Sequence, residues 1–344
     1  MKITKQDLRW AAEQQVITVE QADSLWTALD TRTEGRARFD ATHVAYYCGA
    51  FIVISAMGWF LTEAWDLLGG VGVAAIALIY GIAFAAAGKY LGDQKLRVAS
   101  GLLFTLAVWM TPLVVYGIER AAGLWPDEDP GTFSNYHVWV RGGWIVMELV
   151  TIIIGAIVLR LRRFPFITFP IAFALWYMSM DLTPLITRTQ NFTFEERAWV
   201  SVVFGALMLV AAWVIDLRRF ADDYAFWCYL FGLAAFWGGL SAMDSNSELS
   251  KFIYLLINIA LIALSLFLRR RVFLVFGACG AFGYLGHLAW EVFKDSIIFP
   301  FILTLGGLLV IGAGIAWQKK RTQVEAWFQS RIPDGIRRLV PPER

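Results

Sequence analysis

Long apolar runs alternate with short polar breaks from about residue 43 onward, and this alternation dominates the chain. Each run is about twenty residues long, which is the length a helix needs to cross a hydrocarbon core of ~30 Å. The pattern predicts ten transmembrane helices. They lie at 43–62, 70–88, 98–118, 138–159, 165–184, 197–215, 224–242, 250–268, 272–291 and 296–317.

Composition supports this interpretation, since 58% of the residues are hydrophobic and the mean hydropathy is +0.57. Such a chain is not a soluble globule. The predicted fold class is an all-α polytopic membrane protein. We expect three regions: a cytoplasmic helical hairpin and linker over 1–40, a transmembrane domain over 41–317, and a basic amphipathic cytoplasmic tail over 318–344.

Basic residues give the orientation of the predicted spans. With the N-terminus inside, 24 of the 30 Lys and Arg residues lie on inner segments. Cytoplasmic loops carry this excess in membrane proteins, so both termini are expected in the cytoplasm. The polar, acid-containing first forty residues differ from a cleaved signal peptide, and we expect them to be retained.

The N-terminal region carries two helix-start signals, Thr4-Lys5-Gln6-Asp7 and Thr18-Val19-Glu20-Gln21. Apolar side chains follow each signal at helical spacing: Leu8, Ala11, Ala12 and Val16, then Ala22, Leu25, Trp26 and Leu29. Two such short helices bury little surface by themselves. The hairpin is therefore expected to bind a protein partner, or a second copy of the chain.

The segment LRWAAEQQVITVEQADSLWTAL, followed by many spans, resembles a bacterial family of predicted membrane proteins. That family carries the N-terminal domain of unknown function 2157. The resemblance rests on an apolar helix, a break before Ile17, and a second helix with Gln21, Ala22 and Leu25. It implies a multi-pass protein of the bacterial inner membrane and supplies no catalytic residues.

Glu148 is the most conspicuous ionisable residue within a predicted span. It follows Trp139 by nine positions, or about 13 Å along a helix, so it is expected near the bilayer midplane. A charge there costs about 3 kcal/mol, so the side chain should face protein or water. Arg141, Trp144, Thr151 and Gly155 share its helix stripe, whereas Val146, Leu149, Val150, Ile153 and Val158 point elsewhere. Glu148 is either a proton- or cation-coupling carboxyl or a structural acid bonded to a neighbouring helix.

The eighth span contains a similar polar stripe of Lys251, Tyr254, Asn258 and Ser265. Hydrogen bonding between helices is the favoured role of Asn258. If the fourth and eighth spans face each other, Glu148 and Asn258 could line one cavity.

A weaker candidate site is His287 with Glu291, one helical turn apart near the outer end of the ninth span. The pair could ligate a metal or share a proton, but no third ligand is identifiable, and helix support is the simpler role. Cys48, Cys228 and Cys279 are isolated from one another and are interpreted as packing residues. No cofactor, metal or nucleic acid is expected; the lipid bilayer is the expected partner.

Other residues carry structural expectations. The glycines at 277, 280, 283 and 286 predict close helix contacts. Thr111-Pro112 within the third span and Thr183-Pro184 near the end of the fifth are expected to bend or end those helices. Four acids are expected to be solvated helix caps because they lie near span ends: Asp181, Asp216, Asp222 and Asp223.

Two function classes fit these observations. The first is a non-enzymatic integral membrane protein that acts through partners, using its hairpin and tail as docking elements. The second is a secondary transporter of a small solute, proton-coupled through Glu148. An intramembrane enzyme that uses His287 and Glu291 is a remote alternative, because few polar residues converge there.

Overall fold

The computed structural model describes residues 5–33, 41–64, 68–124, 144–187, 193–218, 220–243 and 247–293, with single positions at 301, 304, 305, 308, 312 and 341. Within these residues the regular structure is helical, with no strand. The helices are α1 (Lys5–Glu13), α2 (Val19–Thr33), α3 (Ala41–Ala64), α4 (Gly69–Asp93), α5 (Arg97–Trp109), α6 (Thr111–Ala121), α7 (Ile145–Leu161), α8 (Thr168–Thr187), α9 (Phe194–Leu217), α10 (Phe226–Ala242), α11 (Glu248–Leu268) and α12 (Arg271–Phe293).

Five helical segments of the described chain are long and apolar enough to cross a membrane. They are Gly69–Asp93, Arg97–Ala121, Pro165–Thr183, Phe194–Leu217 and Leu249–Leu268. Helices α3 to α12 lie at the first nine predicted spans. The tenth span and the tail over 318–344 fall outside the described residues, apart from the single positions.

The third predicted span is interrupted at Met110, as expected from Thr111-Pro112, whereas α8 does not end at Thr183-Pro184 but continues to Thr187. Helix α5 ends at Trp109, and α6 begins at Thr111 with proline in its first turn. Proline is tolerated in the first turn of a helix because the N–H that it lacks would have no acceptor within the helix at that position.

Apolar side chains on the outer faces of the helices are exposed, which is the reverse of a soluble protein. On α7, Val146, Leu149 and Ile153 are exposed, whereas Glu148 and Thr151 are buried. This is the division of faces that the sequence predicts for the helix. Polar groups inside and apolar groups outside suit a helix that contacts lipid.

The second helix of the N-terminal hairpin begins where the sequence predicts. The Thr18 backbone N–H donates to Gln21 Oε1 at 3.0 Å, and the Gln21 backbone N–H donates to Thr18 Oγ1 at 3.2 Å. This reciprocal capping box starts α2. Between the two helices Gln15 has a φ of +58°, the left-handed conformation that glycine adopts with least strain.

Close backbone contacts hold pairs of helices together. A Cβ atom at Gly205 of α9 would lie 2.4 Å from the Phe236 backbone nitrogen of α10. Gly70 of α4 and Gly117 of α6 approach each other in the same way, since a Cβ on Gly70 would lie 2.6 Å from the Gly117 carbonyl oxygen. Small residues allow these approaches where bulkier side chains would clash.

Aromatic side chains fill the space between α3, α5, α8 and α10. Phe169 stacks on Trp109 at 5.0 Å and contacts the Trp227 ring edge to face at 4.7 Å. Phe173 continues the cluster toward Tyr177 at 4.8 Å. Helix α8 is thereby fixed against its neighbours along the part of its length that leads to Asp181.

Candidate functional site

Glu148 lies in the first turn of α7, and its side chain is buried with 6% exposure. Thr151 and Gly155 follow it on the same buried face. Thr151 donates its hydroxyl to the Met147 carbonyl oxygen within its own helix at 2.6 Å. Among the described residues, neither carboxyl oxygen of Glu148 has a hydrogen-bond partner.

Asp181 of α8 is a second buried carboxyl, and here the expectation of a solvated helix cap is wrong. The residue is 0% exposed, and neither of its oxygens accepts a well-aligned hydrogen bond from the part of the chain that the structure describes. The Trp144 backbone interacts with the Asp181 carboxyl, but the geometry is not that of a well-aligned hydrogen bond. The position of Asp181 inside the predicted span 165–184, rather than after it, is the sequence signal that indicates burial.

Helix packing brings these two carboxyls together, because α7 packs along α8. They interact electrostatically with each other, and Tyr177 of α8 interacts with both. The Tyr177 ring stacks parallel to Trp144, with ring centroids 6.3 Å apart and planes 5° apart. The stacked Trp144 and Tyr177 rings therefore lie beside the two carboxyl groups.

Arg197, in the first turn of α9, adds a positive charge to the site. It interacts electrostatically with Asp181, because α9 packs against α8. With both acids ionised, the three groups would carry one net negative charge. One bound proton would make the cluster electrically neutral.

Arg141, predicted to share the Glu148 stripe, lies outside the described residues. The described part of α7 begins at Ile145, so Glu148 lies in the first turn of this described helix and not at its middle.

Asn258 of α11 is 0% exposed and is engaged in structural contacts. Its Oδ1 accepts a hydrogen bond from Trp237 Nε1 of α10 at 3.0 Å, and its Nδ2 donates to the Tyr254 carbonyl oxygen at 2.8 Å. This arrangement agrees with the favoured role in joining helices. Asn258 and Glu148 therefore belong to different helix contacts rather than to one cavity.

Two other members of the predicted α11 stripe lie toward its N-terminus. The Tyr254 hydroxyl is 2.8 Å from Ser241 Oγ of α10, which adds a second bond between these helices. Lys251 is half-buried in the first turns of α11.

The weaker candidate pair is placed only in part. His287 is exposed on α12, and Glu291 lies on the same helix with its side chain outside the described residues. Across the described chain, no group of three His, Cys, Asp or Glu residues could hold a metal ion.

Two glycines of the α12 repeat allow close contact with Asn258 of α11. A Cβ at Gly280 would lie 1.9 Å from Asn258 Oδ1, and one at Gly277 would lie 2.6 Å from the Asn258 carbonyl oxygen. Among the described residues, nothing lies within 4 Å of a Cβ at Gly283 or at Gly286. The prediction of close helix contact is thus confirmed at Gly277 and Gly280, and no described residue makes such a contact at the other two.

Comparison of the chain with protein-family models, with curated proteins and with solved structures finds no match.

Proposed function

We propose that this protein is a proton-coupled secondary transporter of a small solute, in which Glu148 and Asp181 hold the coupling proton. The observation that carries the proposal is the burial of two carboxyl groups on neighbouring helices whose four oxygens accept no well-aligned hydrogen bond from the residues that the structure describes.

A structural role would require partners for these oxygens. Buried polar groups in folded proteins are nearly always hydrogen-bonded, because an unsatisfied group loses its water without compensation. Two ionised carboxylates that interact electrostatically would add like-charge repulsion to that cost. A proton held by the pair lowers both costs, and an ionisable group within a membrane span is a functional site by default.

Arg197 fits the proposal as the fixed counter-charge. It interacts with Asp181, so proton uptake converts a negative cluster into a neutral one. A charge change of this kind can bias the packing of α7, α8 and α9, which is the coupling that a secondary transporter needs. The complete arrangement would have ten spans with both termini in the cytoplasm of a bacterial cell, as the sequence pattern and the family resemblance imply.

The test is proton movement in proteoliposomes that contain a pH-sensitive dye. A potassium gradient with valinomycin sets the membrane potential, and small solutes of four classes are added in turn: amino acids, sugars, organic anions and organic cations. We expect flux from the parent protein and loss of flux in Glu148→Gln with an unchanged elution profile. Glu195→Gln, at an exposed position of α9, is the matched control and should retain flux. Equal flux in Glu148→Gln, or none in any variant, contradicts the proposal.

A second candidate function is docking of a partner through the α1–α2 hairpin. Trp10, Val16, Val19 and Leu25 are exposed on it, and α1 packs mainly on α2. Deleting residues 1–33 tests this function. Survival of the oligomeric state and of every co-purifying protein would exclude docking through the hairpin.

A further inference from the structure

A buried ion cluster lies at the predicted inner ends of the C-terminal helices. Arg270, in the turn between α11 and α12, donates from Nε to Asp216 Oδ2 at 3.0 Å and from Nη2 to Asp216 Oδ1 at 2.8 Å. Asp216 lies in the last turn of α9 and is 1% exposed, so its expected role as a solvated cap is wrong. This two-bond contact fixes the α11–α12 turn against the end of α9.

Arg270 also holds the loop between α9 and α10. Its Nη1 donates to Asp223 Oδ2, and its Nη2 donates to Asp223 Oδ1 at 3.0 Å. Asp223 Oδ1 accepts a further bond from the Phe226 backbone N–H at 3.2 Å, at the start of α10. The guanidinium carbon lies 5.3 Å from the centroid of the fully buried Tyr229 ring.

Arg270 therefore remains charged in this setting. Burial disfavours its charged form, but the hydrogen bonds to Asp223 and Asp216 outweigh burial and raise the pKa of Arg270 above its ordinary value. The Arg270 side chain is 10% exposed and the Asp216 side chain is 0% exposed. The contact between these two residues is therefore shielded from water and salt.

Asp222, the neighbour of Asp223, contacts the N-terminal half of the chain. Asp222 accepts a hydrogen bond from Arg97 Nη2 at 2.5 Å, and Arg97 is the first residue of α5. The same nitrogen lies 3.5 Å from the backbone carbonyl oxygen of Arg163, which follows α7. Side-chain exposure is 47% for Arg97 and 23% for Asp222, so water reaches this contact.

We infer that residues 220–225, which precede α10, form an inner gate: Arg270 anchors this segment to the C-terminal helices, and the Arg97–Asp222 contact opens and closes its link to α5. The two consecutive acids face different arginines: the Arg270 side chain is 10% exposed and donates several hydrogen bonds, whereas the Arg97 side chain is 47% exposed. An exposed ion pair forms and breaks at little cost, whereas a buried one with several hydrogen bonds does not. The structure therefore shows the gate closed. The inference rests on the proposed transport function, because a gate requires a pathway.

The test is the labelling rate of Cys228, which is partly buried near the start of α10. The two exposed cysteines, Cys48 and Cys279, are first replaced by serine. A membrane-impermeant maleimide is then applied to inside-out vesicles that contain the full chain. We expect several-fold faster labelling in Asp222→Asn and in Arg97→Gln than in the parent. The reversed pair, Arg97→Asp with Asp222→Arg, should return the rate toward that of the parent.

Asp93→Asn and Arg218→Gln remove exposed charges near the same ends and serve as controls. Unchanged labelling in both single variants overturns the inference, as does equal acceleration in the controls or a reversed pair that labels as fast as the single variants. If Asp222→Asn does not fold, Arg97→Gln carries the same test. Because labelling needs no gradient or solute, faster labelling without proton flux shows that the segment opens but rejects proton-coupled transport, whereas flux with unchanged labelling rejects the gate alone.

Discussion

The Trp237 indole donates a hydrogen bond to the Asn258 side-chain oxygen at 3.0 Å, and this bond joins α10 to α11. The same amide oxygen faces Gly280 of α12, where a Cβ atom would lie only 1.9 Å away. Asn258 thus connects three helices while remaining fully buried.

The pair of residues should be energetically coupled. Trp237→Phe and Asn258→Leu each remove one partner, and the double variant removes both. Because hydrogen bonds between membrane helices are worth about 0.6 kcal/mol, we expect the double variant to be less destabilised than the sum of the single effects by roughly that amount. Thermal unfolding in detergent measures the cycle. Strictly additive effects would show that the bond contributes nothing.

Gly280→Ala should destabilise the contact between α11 and α12 by about 1–3 kcal/mol, because the new methyl group overlaps the Asn258 amide. Gly283→Ala is the matched control on the same helix, where a Cβ meets no described residue within 4 Å. The thermal midpoint should fall for the first variant and stay constant or rise for the second. Equal midpoints would exclude this close contact.

The sequence predicts the division of faces on α7 because helical periodicity alone separates Glu148 and Thr151 from Val146 and Leu149. It also predicts the break at Thr111-Pro112, since proline chemistry is local. Asn258 follows the same logic, because a single amide in an apolar helix needs a partner on a neighbouring helix.

The burial of Asp181 and Asp216 follows from packing between helices that are distant in the chain, which periodicity does not encode. Asp216 is buried because Arg270, fifty-four positions later, covers it. Asp181 is buried because α7 and α9 both pack against α8. For the same reason, the pairing of Asp181 with Glu148 could not be predicted from spacing along either helix.

Thr193→Ala should lower stability by about 1 kcal/mol, because it removes the capping box of α9. Thr193 Oγ1 accepts from the Glu196 backbone N–H at 3.2 Å, and the Glu196 carboxyl accepts from the Thr193 backbone N–H at 2.7 Å. Thr193→Ser retains the hydroxyl and should be nearly neutral. Hydrogen exchange of the first turn of α9 reports the local effect, and identical exchange in the alanine and serine variants would argue against the cap.

Arg270→Met should be strongly destabilising, by about 3–5 kcal/mol, because it leaves Asp216 buried without its cation. Removing both members in Arg270→Met with Asp216→Leu should recover much of that loss, since no uncompensated charge remains. Thermal midpoints in detergent measure both variants, with Arg218→Gln as the exposed control. A double variant less stable than Arg270→Met would contradict the ion-pair interpretation.

Asp181→Asn tests whether Arg197 depends on the buried carboxyl. The change removes the negative charge that faces Arg197 while keeping the shape of the side chain, so we expect a loss of about 1–3 kcal/mol. Removing the positive charge as well, with Arg197→Gln, should make the double variant less destabilised than the sum of the single variants. Asp93→Asn, at an exposed end of α4, controls for loss of an acid in general. If Asp181→Asn behaves like Asp93→Asn, the electrostatic contact with Arg197 contributes nothing to folding. If the effects of Asp181→Asn and Arg197→Gln are merely additive, the two residues act independently, and Arg197 is not the counter-charge of the carboxyl pair.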